Sequence, residues 1–290
     1  MFEGAFTAIV TPFKNGEVDY KAFEELIEFQ ISNGIHGIVP CGTTGESATL
    51  SHSEHKEVIK RCVEIVNKRV AVIAGSGSNS TAEAIELTSF AKEVGADGAL
   101  VITPYYNKPT QEGLYQHFKK VAEEVNIPIV VYNVPGRTGV NLLPDTLARL
   151  KDISNIVAVK EASGNVSQCE EIIIKTEGKI NLLSGDDSLY FPLLAIGGTG
   201  VISVVSNIIP SDVANVFEYF KKGDFNKSRE IFYNYFYLTK SMFYETNPIP
   251  VKTSLSLMGK IEEEVRLPLY KISEKNREKL KKDLSNYNLI

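Results

Sequence analysis

The sequence predicts an α/β fold, a (β/α)8 TIM barrel with a C-terminal helical extension. Short apolar, β-branched runs recur about every thirty residues, and amphipathic helical stretches separate them, as in repeated strand–helix units. A count of eight such runs favours a closed barrel of parallel strands over an open doubly wound sheet. The predicted strands are Ala5–Val10, Gly37–Pro40, Val70–Ala74, Ala99–Thr103, Ile129–Tyr132, Ile156–Val159, Ile180–Ser184 and Gly200–Val204.

The helices between these strands are predicted from amphipathic spacing and from the residues at their starts. Both Ser51–Glu54 and Ser80–Glu83 have the Ser-x-x-Glu pattern of a capping box, in which the two side chains satisfy exposed backbone N–H groups. The predicted helices of this part of the chain are Ala22–Asn33, Glu54–Asn67, Thr81–Val94, Gln111–Val125, Pro144–Leu150 and Gln168–Thr176.

After Pro210 the strand pattern disappears and only helices are predicted. The first would be the eighth barrel helix, so we expect a barrel over residues 1–223 and a C-terminal helical region over residues 224–290. The second carries more aromatic side chains than one face can bury, which predicts a partner surface from the barrel or another subunit. These helices are Ser211–Lys221, Phe225–Tyr244, Val251–Met258 and Ser273–Ser285.

The composition is that of an ordinary globular protein, with 43% hydrophobic and 23% charged residues in a chain of 290. A net charge of −5, spread along the chain, argues against a nucleic-acid or membrane partner. The N-terminus has no basic region before an apolar run, so we expect a soluble, cytoplasmic protein. Three widely spaced cysteines fit a reducing compartment. Cys41 is a candidate nucleophile, but core packing is the preferred interpretation.

Lys160 is the most informative residue, because it closes the apolar run Ile156–Val159. Burying an ammonium group is unfavourable, and burial lowers a lysine pKa from ~10.4 towards about 7–8. At that pKa the neutral amine can attack a carbonyl group and form a Schiff base. The alternatives are a solvent-exposed strand end or an ion pair with Glu161. The ion pair is disfavoured because consecutive strand residues point to opposite faces.

Other predicted strand ends carry polar groups that a barrel would bring to one rim. The glycines around Thr43 and Thr44 would let hydroxyl and backbone N–H groups approach a small anion, although the same residues fit an ordinary tight turn. Tyr132 would place its hydroxyl near the amine of Lys160, unless it serves only packing. Arg137, in a Pro-Gly loop, could bind a carboxylate bidentately or be a plain surface residue.

Four other patterns give weaker signals. The segment Gly75–Ser80 lacks the third glycine of a dinucleotide motif and the lysine of a P-loop. The glycines at 197–200 enter a strand rather than leave it, which disfavours a phosphate site. Asp186-Asp187 could bind a cation, but helix capping is the simpler interpretation. His52 and His55, one turn apart, are expected to be surface residues rather than zinc ligands.

Together these motifs resemble the dihydrodipicolinate synthase family over essentially the full length. Its members are class I aldolase-like barrels that condense pyruvate with aspartate semialdehyde on the way to diaminopimelate and lysine. The resemblance implies a homotetramer built as a dimer of dimers, and chemistry without a metal or organic cofactor. The matching motifs are Gly37–Val39, Gly42–Glu46, Ile102–Pro109, Tyr132–Gly139, Lys160–Gly164 and Asn247–Lys252.

The resemblance also implies roles for individual residues. Lys160 would form the imine with pyruvate, whose carboxylate Thr43 and Thr44 would hold. Tyr132 would transfer protons through the Thr43 hydroxyl to Tyr106, which in the family reaches in from the neighbouring subunit.

Further positions have roles by the same resemblance. Arg137 would bind the carboxylate of the aldehyde substrate, and the backbone at Gly185 and Ile202 would line the pyruvate side. Feedback-inhibited members bind lysine as an effector at a dimer interface, where Glu83 could bind its ammonium group or complete the capping box. The matching positions are Ser47, Ala48, His52, His55, Asn79, Glu83 and Tyr105.

Two alternatives remain open. A sister pyruvate lyase acting on sialic acid or a keto-sugar acid would share the fold and the Lys160–Tyr132 chemistry, but Arg137 argues against it. A catalytically inactive sensor of an amino acid or keto acid is the non-enzyme alternative. The presence of Lys160, Tyr132, Thr43, Tyr106 and Arg137 together argues against that one.

Overall fold

The computed structural model describes residues 2–290, and eight of its strands close into a parallel barrel, as predicted. Around the barrel the strand order is β1-β10-β9-β8-β7-β6-β5-β4, and β2 and β3 form a separate antiparallel hairpin that the sequence did not predict. The strands are β1 (Gly4–Ala8), β2 (Phe13–Lys14), β3 (Glu17–Val18), β4 (Gly37–Val39), β5 (Ala71–Gly75), β6 (Gly98–Ile102), β7 (Ile129–Asn133), β8 (Ile156–Glu161), β9 (Asn181–Ser184) and β10 (Gly200–Ser203).

The helices follow the predicted order, and each of the eight barrel strands lies within two residues of its predicted bounds at both ends. Within the described residues, every helix is too short or too polar to cross a bilayer. The helices are α1 (Tyr20–Ser32), α2 (His52–Val66), α3 (Thr81–Glu93), α4 (Gln111–Glu124), α5 (Pro135–Thr138), α6 (Pro144–Leu150), α7 (Val166–Thr176), α8 (Tyr190–Ala195), α9 (Pro210–Lys221), α10 (Phe225–Asn234), α11 (Phe236–Ser241), α12 (Ile249–Leu257) and α13 (Glu274–Asn286).

The prediction of one helix over Phe225–Tyr244 is wrong, because Tyr235 interrupts it with φ −103° and ψ 8°. Its ring is buried and packs edge-on against Phe232, with 5.9 Å between ring centroids. Aromatic residues have only moderate helix propensity, so tertiary packing can override the helical pattern here. Tyr233 and Tyr237 still stay exposed, in line with the predicted excess of aromatic side chains.

One predicted capping box is confirmed and the other is wrong. At the start of α2, the Ser51 hydroxyl accepts a hydrogen bond from the Glu54 N–H (3.2 Å), and the Glu54 carboxylate accepts one from the Ser51 N–H (2.8 Å). At the start of α3, Ser80 makes no capping bond through its side chain. There the hydroxyl of Ser78 takes the place of the predicted box: it donates a hydrogen bond to the Glu83 carboxylate and accepts one from the Ser80 N–H (3.0 Å).

The chain forms two compact units. The first, residues 2–4 with 71–202, contains β5 to β9 and α3 to α8, and its apolar core includes Val101, Phe118 and Val159. The second, residues 5–70 with 203–290, contains α1, α2 and α9 to α13. The predicted boundary between residues 223 and 224 falls in the short turn between α9 and α10, and it stays a prediction.

Candidate active site

Lys160 lies near the end of β8 and is only 7% exposed. In the register of the sheet its neighbours are Tyr132 on β7 and Leu183 on β9. Burial lowers the pKa of Lys160, the carboxylate of Asp187 opposes this decrease, and the charge of Arg137 adds a smaller decrease, so that the resulting pKa is about 7. This low exposure excludes a solvent-exposed lysine, and with this pKa about half of the amine is neutral and nucleophilic at pH 7.

The ring of Tyr132 covers the amine. The Nζ atom of Lys160 lies 4.2 Å from the centroid of the Tyr132 ring, and the tyrosine is itself only 6% exposed. The sequence predicted that the hydroxyl of Tyr132 would lie near the amine, whereas the contact that the structure shows is with the ring face. The aromatic face shields one side of the amine from water, as part of the burial that is the main cause of its low pKa.

Gly185 leaves the space that the Lys160 side chain occupies. A Cβ atom at position 185 would lie 3.2 Å from Cε of Lys160 and 2.7 Å from Cβ of Ala162. The Gly185 N–H donates to the carbonyl of Glu161 (2.8 Å), so the backbone cannot easily move away. Only glycine therefore fits beside the lysine stem. Ile202, the other residue predicted to line the pyruvate side, is buried in β10, one residue beyond Val201, which pairs with Ser184 in the sheet.

Glu161 does not pair with the neighbouring lysine, which confirms that the two side chains point to opposite faces of the strand. Its buried carboxylate accepts hydrogen bonds from the Ser163 N–H (2.7 Å), the Asn133 amide (2.9 Å) and the Gln168 amide (3.3 Å). The Asn133 and Gln168 amides also donate to the side-chain oxygen of Asn141, at 2.7 and 3.1 Å. This network fixes the end of β8 to the segment after β7. The alternation of side chains along the strand predicted that Glu161 points away from Lys160, but it did not predict these hydrogen-bond partners.

Arg137 is exposed on the short helix α5, directly after β7. The buried Thr138 hydroxyl can donate to the carbonyl of Val134 (3.2 Å) or Val140 (3.0 Å), and the hydroxyl of Thr103 donates to it at 3.4 Å. The loop is thus anchored at its base, and Arg137 is exposed beside this anchor. A guanidinium group at such a position can bind a carboxylate.

Tyr106 projects from the loop after β6 and is 90% exposed, although its backbone adopts a left-handed conformation with φ +72°. Tyr105 beside it is also exposed. The loop is held by Asn107, whose side-chain amide donates to the carbonyl of Asn79 (2.9 Å). An exposed tyrosine on a constrained, rare backbone conformation is typical of a functional loop.

Thr43 and Thr44 lie in the second unit, in the turn between β4 and a 3-10 helix at Ser47–Thr49. Thr44 is buried and accepts a hydrogen bond from the Asn247 side chain (3.0 Å), while Thr43 is half-buried. The structure describes each unit separately, so the predicted grouping of these threonines with Lys160 stays a prediction.

Burial raises the pKa of the Cys41 thiol well above its usual range, which supports core packing rather than nucleophilic chemistry.

The positions predicted for a lysine effector are distributed over both units. Ala48 and His52 are exposed in the second unit, and Ser47 is half-buried beside them. Asn79, Glu83 and Tyr105 belong to the first unit. The expectation that both histidines lie on the surface is wrong for His55, which is 7% exposed because it shares the buried face of α2 with Val58, Ile59 and Cys62.

Asp186 caps a helix, as predicted. One of its carboxylate oxygens accepts a hydrogen bond from the Ser188 N–H at 2.8 Å, at the start of the 3-10 helix Asp187–Leu189. Asp187 itself is buried, and its charge acts on the pKa of Lys160.

Comparison with known proteins gives one consistent family. A model of the Dihydrodipicolinate synthetase family matches residues 1–287. Two curated relatives, both called 4-hydroxy-tetrahydrodipicolinate synthase, cover 100% of this chain and are themselves covered completely. The relative from Syntrophus aciditrophicus is 59% identical, and that from Syntrophobacter fumaroxidans is 60% identical.

Solved structures agree with the sequence relatives. A dihydrodipicolinate synthase from Aquifex aeolicus is 51% identical, with a TM-score of 0.98 over 99% of both chains. The enzyme from Acinetobacter baumannii, described as complexed with pyruvate, is 47% identical, with a TM-score of 0.98 over 100% of both chains. The enzyme from Cyanidioschyzon merolae, described with lysine bound, is 42% identical, with a TM-score of 0.96 over 100% of this chain and 99% of that one.

Replacing Lys160 with Met should raise the free energy of unfolding, because a buried amine is exchanged for an apolar side chain. The pKa of this amine is about 7 in the folded protein and 10.5 for an ordinary lysine in water. The folded state therefore holds fewer protons than the unfolded state between these values, so wild-type stability increases with pH there. The advantage of Lys160→Met should be largest at or below about pH 7 and smaller at about pH 9.

Urea unfolding of both proteins at the two pH values measures this difference. The exposed Lys281, on α13, provides the control substitution Lys281→Met, which should change stability little at either pH. A Lys160→Met protein that is less stable than wild type at neutral pH would contradict the interpretation of Lys160 as an unfavourably buried amine.

Proposed function

This chain belongs to the dihydrodipicolinate synthetase family, and we propose that it condenses pyruvate with L-aspartate 4-semialdehyde to give 4-hydroxy-tetrahydrodipicolinate, for diaminopimelate and lysine synthesis. One observation carries the chemistry: Lys160 is buried at the end of a barrel strand, with its pKa lowered to about 7. A neutral amine in that place is the group that a class I aldolase needs. We place the enzyme in the cytoplasm, where its biosynthetic substrates would be made.

The reaction follows from the properties of this amine. The nitrogen of Lys160 attacks the keto carbon of pyruvate, and loss of water from the resulting carbinolamine gives an imine. The imine withdraws electrons, so that a methyl proton leaves and an enamine forms. The enamine carbon attacks the aldehyde carbon of the second substrate and makes the new carbon–carbon bond. The amino group of that substrate then displaces Lys160 as the ring closes, and the free lysine is regenerated.

Each remaining residue has a proposed part. Thr43 and Thr44 hold the pyruvate carboxylate, since their turn offers hydroxyl and backbone N–H donors. Tyr132 carries protons through Thr43 to Tyr106, and its position over the amine supports a role at the imine. Arg137 binds the carboxylate of the aldehyde substrate, as its exposed guanidinium on an anchored loop permits.

Two further roles complete the proposed pyruvate site. The backbone at Gly185 and Ile202 lines the pyruvate side; Gly185 directly follows β9 and Ile202 lies in β10, the two strands beyond β8 in the barrel order. We assign the barrel to residues 1–223 and the helical region to residues 224–290.

We also propose that the protein is a homotetramer, a dimer of dimers, in which Tyr106 completes the site of a neighbouring subunit. The 90% exposure of Tyr106 and the exposed aromatic residues after residue 224 support such contacts. Lysine is the proposed effector, as the lysine-bound relative from Cyanidioschyzon merolae indicates. The carboxylate of Glu83 could bind its ammonium group, and the remaining proposed contacts are Ser47, Ala48, His52, His55, Asn79 and Tyr105.

The assignment predicts a clear preference between substrates. The purified enzyme should consume pyruvate and aspartate semialdehyde together, and it should leave N-acetylneuraminate unchanged, because Arg137 suits a small second carboxylate. Coupled spectrophotometric assays with each substrate measure the rates. Lys160→Ala is the matched inactive control. Turnover of the sugar acid alone would contradict the synthase assignment in favour of a lyase.

A methyl group at Gly185 should prevent imine formation, since it would press on both the lysine stem and Ala162. We expect Gly185→Ala to lose most of the pyruvate adduct that borohydride traps on wild-type enzyme. Mass spectrometry of the intact protein quantifies the adduct. At Gly136 an added Cβ meets no atom within 4 Å, so Gly136→Ala should retain the adduct. Equal adduct yields in the two variants would show that Gly185 does not position Lys160.

A further inference from the structure

The hydroxyl of Thr44 is oriented by a residue from the C-terminal part of the chain. The side-chain amide of Asn247 donates a hydrogen bond to Oγ1 of Thr44 at 3.0 Å, and both residues are buried. An amide N–H group can donate but cannot accept, so the hydrogen of the Thr44 hydroxyl must point elsewhere. The contact therefore leaves Thr44 as a hydrogen-bond donor, which is the polarity that a carboxylate ligand requires.

The end of the same turn is fixed by a buried ion pair. Glu46 has a left-handed backbone with φ +53°, which is unfavourable for a residue with a side chain. Its carboxylate accepts a hydrogen bond from Nζ of Lys252 at 2.6 Å and another from the backbone N–H of Arg266 at 3.1 Å. The side chains of Glu46 and Lys252 are 0% and 1% exposed. Neither charge has access to water, so each depends on the other.

Both supporting residues belong to one short segment, Asn247 just before α12 and Lys252 within it. The Lys252 ammonium lies 4.1 Å from the centroid of the buried Phe13 ring, and the Arg266 guanidinium lies 4.3 Å from the same ring. Arg266 also forms a bidentate pair with Glu54, at 2.6 and 2.9 Å. The pairing with Arg266 and the hydrogen bonds of the capping box lower the pKa of Glu54 to about 2. Lys252 and Arg266, which both contact Glu46, are therefore also held by partners outside the turn, namely Phe13 for both and Glu54 for Arg266.

We propose that Asn247 and Lys252 are positioning residues for the turn Gly42–Glu46. Asn247 sets the Thr44 hydroxyl as a donor towards the carboxylate of pyruvate, and Lys252 holds the turn through Glu46. The inference rests on the proposed function, because it takes pyruvate as the ligand of this turn. Neither residue needs to touch the substrate.

The substitution Asn247→Asp tests the direction of the hydrogen bond. An aspartate of nearly the same shape only accepts hydrogen bonds when ionised, so it would take up the Thr44 hydroxyl hydrogen. We expect the KM for pyruvate to rise about tenfold or more, because a hydrogen bond to a charged group is lost. The KM for aspartate semialdehyde and kcat at saturating pyruvate should change much less. The control is Asn226→Asp, at an exposed position on α10, which should leave both KM values unchanged.

A second substitution tests the ion pair. Lys252→Met should also raise the KM for pyruvate selectively, since uncompensated Glu46 would no longer hold the turn. Lys281→Met, on the exposed face of α13, is the control. If Lys252→Met does not fold, the Asn247→Asp result decides the inference alone. A folded Asn247→Asp enzyme with an unchanged pyruvate KM, or with equal rises for both substrates, would overturn it.

Borohydride trapping separates this inference from the function on which it rests. Wild-type enzyme that forms no trapped adduct with pyruvate would refute the proposed function. Wild-type enzyme that forms the adduct at the same pyruvate concentrations as Asn247→Asp would refute only the positioning role. We expect the variant to need about tenfold more pyruvate for half-maximal trapping.

Discussion

The burial of one amine is the constraint on which this site depends. Lys160 keeps its amine away from water, and the resulting fall in its pKa to about 7 makes the nitrogen nucleophilic at neutral pH. Three neighbours make that burial possible. Gly185 leaves room for the lysine stem, the ring of Tyr132 covers the amine, and Glu161 directs its charge to the opposite face of the strand. A carboxylate from Glu161 beside the amine would instead raise the lysine pKa and favour the unreactive ammonium.

In the second unit, a buried lysine keeps an oppositely charged partner. There the ammonium of Lys252 is paired with Glu46 at 2.6 Å, so the two charges compensate each other and neither is available for chemistry. The turn carrying Thr44 is thereby fixed from the C-terminal segment, and the donor character of its hydroxyl follows from Asn247. A buried lysine whose pKa falls to about 7 indicates reactivity, whereas a buried lysine in a close ion pair indicates a structural role. This difference separates the two buried lysines among the described residues 2–290.

Local sequence patterns predicted the barrel and the position of Lys160, because strand and helix periodicity depend on near neighbours. Features that depend on tertiary packing escaped prediction. The break in the helix at Tyr235 comes from the packing of its aromatic ring. The carboxylate of Glu83 accepts a hydrogen bond from Ser78 instead of forming the predicted capping box with Ser80. The contact between Asn247 and Thr44 spans 203 positions along the sequence, so no spacing rule could reveal it. The Asn247–Lys252 motif signalled the family, but only the structure gives its residues physical partners.

The central claim is that a buried, neutral Lys160 is the nucleophile. The most direct measurement is the rate at which borohydride traps pyruvate on this residue as a function of pH, with the modified peptide identified by mass spectrometry. The account predicts a single adduct on Lys160 whose rate of formation rises with pH and levels off above about pH 7, as the amine becomes neutral. An adduct on another lysine, or a rate that continues to rise towards about pH 10.5, would contradict it.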